Sequence, residues 1–180
     1  ARKLGDIAYA VLIANAKMGD GIALFHANHA NLMPGGSLSV ATLGAAETSM
    51  QLQKDIRGKR RLNIQPRFML APVSKKTLFE QFFLTQLIGG QSNQPNLTNP
   101  WYGERMIRVY EPRLDDDSTT TWYLAGEKGK TVRLFFLNGV REPYLETRQG
   151  WSVDGTEYKV RLEAGAKAVD WRALLKNPGA

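Results

Sequence analysis

The chain has 180 residues, 43% hydrophobic and 23% charged, an ordinary balance for a globular protein able to bury a core of its own. It contains no cysteine, which excludes disulfides, thiolate metal sites and a cysteine nucleophile. The formal net charge of +7 suits a polyanion or an acidic partner surface and says nothing about fold.

No stretch approaches the roughly 20 continuous apolar residues that span a membrane, so no membrane partner is expected. The first apolar segment, Leu4 to Ala16, is interrupted by Asp6 and Asn15, and no cleavage pattern follows a basic leader, so no signal peptide is expected. Residues 2–16 instead carry Leu4, Ile7, Ala8, Val11 and Leu12 on one helical stripe. Asn15 and the Gly19-Asp20-Gly21 cluster end that helix. Ile22 to Phe25 reads as a short buried strand, followed by a polar loop from His26 to Gly36. Ser37 or Ser39 then caps a second helix over 40–55, with Val40, Leu43, Ala46, Met50 and Gln53 along one side.

Lys54 to Arg61 is a basic turn leading into a strand over 67–73, bounded by Pro66 and Pro72. Ser74 is placed to cap a third helix running to about Ile88, with an aromatic face of Phe79, Phe82 and Phe83, before Gly89-Gly90 stops it. Three phenylalanines at helical spacing read first as core and second as contact anchors. Residues 91–100 have loop composition. From about residue 103 the period becomes that of strands: 106–110, 121–125, 132–138, 144–148, 157–162 and 168–171. Turns fall at Gly126–Gly129 and at Asp154-Gly155, the latter a tight-hairpin signal. Helices first and a mostly antiparallel sheet afterwards make an α+β chain.

Few residues offer chemistry. His26 and His29 are the only histidines, and with Asp20 they form the one conceivable metal group. Helical zinc hydrolases need histidines four apart around a glutamate, however, and these stand three apart in a loop without one. A hydrogen-bonded loop is the better reading, and a metal-dependent hydrolase using His26 and His29 the lesser one. Asp115, Asp116 and Asp117 lack the alternate spacing and glycine of a calcium loop, so they read as a solvated loop facing a basic neighbour. No glycine-rich segment has phosphate-cradle spacing, and no serine sits in a nucleophile elbow. The sequon Asn96-Leu97-Thr98 has no secretory context. The basic turn, with Arg57, Lys59, Arg60 and Arg61, lacks the interleaved aromatics of single-strand binders. It reads as a salt-bridging surface for an acidic neighbour, and as a non-specific DNA-binding element second.

Three stretches together carry a resemblance. One is Asp20-Gly21-Ile22-Ala23-Leu24-Phe25-His26-Ala27-Asn28-His29-Ala30-Asn31-Leu32. Another is Tyr110-Glu111-Pro112-Arg113-Leu114-Asp115 leading to Thr121-Trp122-Tyr123-Leu124. The third runs from Pro143-Tyr144-Leu145-Glu146-Thr147-Arg148 through Val153-Asp154-Gly155-Thr156-Glu157-Tyr158-Lys159-Val160-Arg161 to Ala168-Val169-Asp170-Trp171-Arg172. In order and spacing they resemble tailed-bacteriophage (and prophage) major capsid proteins of the type encoded fused to a ClpP-like prohead protease. The resemblance runs from residue 2 to the C-terminus.

It implies the HK-ninety-seven-like capsid fold, also used by encapsulins, with no enzymatic activity, catalytic residue, metal or cofactor in this chain. The expected layout is a spine-helix end and loop of the peripheral lobe over 1–34, an axial lobe over 35–130, and closing strands returning to the peripheral lobe over 131–180. Full-length members carry an N-terminal arm and an extended loop ahead of the spine helix, so this chain is expected to be a piece without them. The implied partners are copies of itself in pentamers and hexamers, the prohead protease during maturation, and packaged DNA. The implied setting is the phage head, assembled in the host cytoplasm. Arg57, Lys59, Arg60, Arg61, Asp115, Asp116 and Asp117 are the candidate contacts between subunits or with DNA.

Overall fold

The computed structural model describes residues 2–89, 97–103, 105–127, 129–150 and 154–180. Its elements are α1 (Arg2–Ala14), α2 (Val40–Gln51), β1 (Phe68–Ala71), α3 (Lys76–Leu84), β2 (Leu87–Ile88), β3 (Leu97–Thr98) and β4 (Ile107–Tyr110). There follow α4 (Arg113–Asp117), β5 (Trp122–Ala125), β6 (Val132–Phe136), β7 (Tyr144–Gln149), β8 (Thr156–Arg161), β9 (Ala164–Ala168) and β10 (Leu174–Asn177). The α+β expectation is borne out.

The centre is a four-stranded sheet in the order β10-β5-β1-β4. β1 and β4 run parallel, with α3 in the connection between them, and the other two pairings are antiparallel. Because side chains alternate across a strand, the sheet feeds two cores. Met69 and Ala71 of β1, Trp122 and Leu124 of β5 and Leu175 of β10 meet Leu43, Ala46 and Met50 of α2 and Phe79 and Phe83 of α3. On the opposite face, Tyr123 and Leu174 meet Leu24, Phe25 and Leu114, with Tyr9, Val11 and Leu12 of α1 packed alongside. β5 is covered on both faces, which is why Trp122-Tyr123-Leu124 is a continuous apolar run rather than an alternating one.

Phe79 and Phe83 are fully buried and Phe82 partly so, which settles the aromatic face of α3 as core. The second helix starts at the Ser39 cap. The Ser39 hydroxyl accepts from Thr42 N at 3.1 Å while Thr42 Oγ1 accepts from Ser39 N at 2.9 Å, a reciprocal capping box. The third helix lacks the Ser74 cap expected for it. Its approach is a single 3₁₀ turn, Val73–Lys75, and the acceptor comes from elsewhere in the chain, from Asp115.

The later strands form three separate two-stranded ribbons, β2–β3, β6–β9 and β7–β8. β6 and β9 pair antiparallel from Val132↔Ala168 to Phe136↔Ala164. β7 and β8 continue outward from Tyr144↔Arg161 to Gln149↔Thr156. The segment from 131 onward is therefore divided: 132–168 makes ribbons, and 174–177 joins the central sheet beside β5.

Several expectations are corrected. Ile22 to Phe25 is not a strand, although Leu24 and Phe25 are buried. A single antiparallel bridge, Lys17↔Ala23, with Leu24 N donating to Ala16 O at 3.1 Å, is joined there by side-chain amides: Asn15 Oδ1 accepts from Phe25 N at 2.7 Å, and Asn31 Nδ2 donates to Leu24 O at 2.8 Å. The third helix stops at Leu84, and Leu87–Ile88 pairs with Leu97–Thr98 instead. The strand expected at 168–171 is two strands on either side of it, 164–168 and 174–177. Asp154-Gly155 does not form a two-residue turn, because the register leaves residues 150–155 between the strands, closed by Gly150 N to Gly155 O at 2.8 Å. Asp115–Asp117 belongs to a short helix rather than a loop. The sequon's Asn96 and most of the loop at 91–100 lie outside the described residues.

Candidate assembly contacts and the histidine loop

The histidine loop is held on every side. A 3₁₀ turn, Ala27–His29, places the two imidazoles, and His26 Nδ1 accepts from Asn28 N at 3.1 Å. His29 is buried, with Nδ1 3.1 Å from Leu24 O and Nε2 2.8 Å from Asp20 Oδ2. The Ile22 N–H first, and His29 after it, hold the Asp20 carboxyl below the ordinary carboxylate range. Gln53 Nε2 donates to His29 O at 2.9 Å and Ser49 Oγ to Ala30 O at 2.6 Å, tying the loop to the end of α2. Lys176 N donates to Asn31 O at 2.8 Å, and Met33 N to Lys176 O at 2.9 Å, so the loop also borders β10.

The hydrolase alternative finds no support in this geometry. The His26 ring is turned to Asn28 and the His29 ring to Leu24 and Asp20. Among the described residues no group of three His, Asp or Glu side chains could hold a metal ion.

The structure joins two motifs that lie far apart in sequence. The Trp171 ring stacks on His29 at 4.2 Å between centroids and 5° between planes. The Arg172 guanidinium sits 4.5 Å over the same indole, and its Nε donates to Lys54 O at 2.8 Å. Histidine loop, Trp171, Arg172 and basic turn thus form one column, with Asp170 holding the Arg172 guanidinium at 3.1 Å.

The basic turn at the end of that column is closed by the antiparallel bridge Lys54↔Arg61. Asp55 Oδ1 accepts from Arg60 N at 3.3 Å and Lys59 N at 2.9 Å, which shapes the turn, and the Arg60 N–H first, with Lys59 N–H after it, holds the Asp55 carboxyl below its ordinary range. The Arg61 guanidinium turns back to donate to Leu52 O. Arg57, Lys59 and Arg60 face solvent, with Ile56 89% exposed beside them.

The three aspartates have different roles. Asp115 accepts from Val73 N at 2.7 Å and Ser74 N at 3.1 Å, which ties α4 to the start of α3, and the Ser74 hydroxyl first, with these two N–H groups after it, holds its carboxyl below the ordinary range. Asp117 accepts from the Tyr9 hydroxyl, whose oxygen also lies 2.7 Å from Arg113 O, so that the two acceptors share one proton. Burial first, and the Asp117 carboxylate second, push the Tyr9 phenol above its ordinary range. Asp116 is exposed. Two of the three candidate carboxylates are therefore occupied within the chain, and no ion pair among the described residues links α4 to the basic turn.

The strands expected at 144–148 and 157–162 are present as the β7–β8 ribbon, and what residue-type reasoning missed is its exposure. The ribbon is exposed along its whole length on both faces and carries Leu145, Tyr158 and Val160 to solvent. The alternation of charged and neutral residues in Glu157-Tyr158-Lys159-Val160-Arg161 was the available signal.

No helix among the described residues is long and apolar enough to cross a membrane. No curated protein matches the chain. A solved structure, the holo-SrpI encapsulin complex from Synechococcus elongatus, is similar at 11% identity and a TM-score of 0.45, covering 98% of this chain. The chain spans 63% of that encapsulin's length. The model of the family described as phage capsid protein matches residues 1–177, and over that whole span the chain belongs to the phage capsid protein family.

Proposed function

We propose that this chain is a structural subunit of an icosahedral phage head, self-associating into the shell that encloses packaged DNA. The observation that carries this reading is the family match along nearly the entire chain, which supports shell formation as the role of the folded unit as a whole. Two structural features agree with it. Both histidine rings are engaged within their own loop, and Leu145, Tyr158 and Val160 of the β7–β8 ribbon face solvent. Such a subunit acts by repeating one shape-complementary contact until a ring closes.

In this reading the partners are copies of the chain in pentamers and hexamers, the prohead protease during maturation, and DNA contacted without sequence preference. The division into a peripheral lobe, with α1 as the end of the spine helix, and an axial lobe over 35–130 belongs to the same proposal. Arg57, Lys59 and Arg60 supply the cations for a non-specific phosphate contact. Asp116 is the acidic residue left for a neighbour's cation. The site of action is the virion, with assembly in the host cytoplasm.

Electron microscopy of the full-length gene product expressed with its protease tests the proposal. Closed shells are the expected result. A product that stays dispersed at every concentration overturns it.

A further inference from the structure

The β7–β8 ribbon has two unlike faces. Antiparallel partners share a face, so Tyr144/Arg161, Glu146/Lys159 and Arg148/Glu157 line one side. That side is electrostatically complete. Arg148 meets Glu157 at 2.9 Å, Lys159 meets Glu146 at 3.2 Å, and Arg161 lies over the Tyr144 ring and 3.6 Å from Glu163. The other side pairs Leu145/Val160, Thr147/Tyr158 and Gln149/Thr156, six residues without a charge. Among the described residues nothing covers it: Leu145 is 60% exposed, Val160 66% and Tyr158 70%.

A two-stranded ribbon is marginal in water unless something packs on it. The exposed surface of Leu145, Tyr158 and Val160 comes to roughly 400 Å², in the range of the largest apolar patch on a typical monomer, which is often functional. It is also about half of what each partner contributes to a stable isolated pair. A contact of that size is too small to hold a lone dimer. It is sufficient when every copy both gives and receives it around a closed ring.

The same chain offers a receiving surface. A groove of about 390 Å³ lies between α1 and β9, with Ile7, Ala10, Val11 and Ala14 on one wall, Ala166 and Ala168 on the other, and Leu24 in its floor. Its alanines leave room for large side chains, and its only charges, Lys17 and Lys167, meet no cation on the neutral face of the ribbon.

We propose that the neutral face of the β7–β8 ribbon docks into the α1–β9 groove of a second copy of this chain. The proposal rests on the self-assembly reading and names the surfaces through which it acts. The contact is heterologous, so it propagates from copy to copy instead of ending at a pair.

These 180 residues hold no cysteine, so introduced thiols in them make a direct test available, with any cysteine elsewhere in the product replaced by serine. Val160→Cys and Ala14→Cys are introduced separately and together into the full-length product, and assembled particles are treated with a short thiol cross-linker. Cross-links between copies that require both cysteines are expected. In parallel, Val160→Lys is expected to lower the assembled fraction about tenfold or more, because it sets a further cation against Lys17 and Lys167 of the groove, while the dispersed chain keeps its circular dichroism spectrum. Shells that form without cross-links, or that cross-link through Val160→Cys alone, overturn the docking while leaving self-assembly standing. Failure of the unsubstituted product to assemble overturns both.

Discussion

The four-stranded sheet and the β7–β8 ribbon are built from similar residues with opposite consequences. In the sheet, Trp122, Leu124 and Leu175 have helices or loops on both sides and almost no exposed surface. In the ribbon, Leu145, Tyr158 and Val160 have only their cross-strand partners and stay mostly in solvent. The sheet is stable through contacts within the chain. The ribbon has satisfied its charges and left its apolar side open. A protein that functions by association needs this division, because the part that folds alone fixes the position of the part that requires a neighbour.

The comparison is tested most severely in the core. Phe83→Ala removes a ring that contacts Phe82 edge-on and packs under the sheet, and it should cost about 3–5 kcal/mol, read as a lower urea midpoint. Tyr158→Ser, which removes an aromatic ring just as completely, should leave the stability of the dispersed chain within about 0.5 kcal/mol. A comparable loss at both positions would erase the distinction.

The histidine column is next in size. His29→Ala takes one of two partners from Leu24 O and the imidazole from Asp20, and removes the ring stacked on Trp171. A loss of about 1–3 kcal/mol is expected, with a change in tryptophan fluorescence. An unchanged urea midpoint would mean that the loop is held by Asn31 and Gln53 alone. Ser39→Ala, which removes the cap of α2, should cost about 1 kcal/mol, and Ser39→Asp should restore most of it.

The smallest effect is a pH dependence. Glu80 accepts from the Tyr110 hydroxyl at 2.6 Å and pairs with Arg108 at 3.0 Å, and these contacts, Tyr110 first, lower its pKa from the ordinary 4.5. A depressed carboxyl stabilises the fold fully above about pH 4.5 and loses that contribution as pH falls through the lowered folded value. Glu80→Gln should therefore flatten the acid limb of a stability-versus-pH curve while leaving the region above pH 6 parallel to the parent. An identical acid limb would assign the loss to other carboxyls, such as Glu111 held by Arg113.

Much of this architecture was legible in the residues. The stripes of α1 and α2 and the aromatic face of α3 place the core, because helical period is local and survives any tertiary arrangement. The strands from 107 to 161 also fall within a few residues of expectation. Local pattern failed where distant groups decide. Leu24 and Phe25 look like a strand until Asn15 and Asn31 supply the hydrogen bonds that a neighbouring strand would give. Leu174–Asn177 contains a lysine and an asparagine, poor strand formers, and is a strand because β5 pairs with it. Asp115 could be seen as acidic but not as the cap of a helix 41 residues earlier. The basic turn was visible as a charge run, while its link through Arg172 to Trp171 and His29 depends entirely on the fold.

The central claim is that the sheet is complete within one chain and the ribbon is completed by another. Amide hydrogen exchange, measured on dispersed and on assembled protein, tests it most directly. The account predicts that β5 and β1 are protected equally in both states, and that β7 and β8 exchange rapidly when dispersed and slow markedly on assembly. A ribbon already as protected as the sheet in the dispersed chain, or one equally unprotected in the shell, would contradict it.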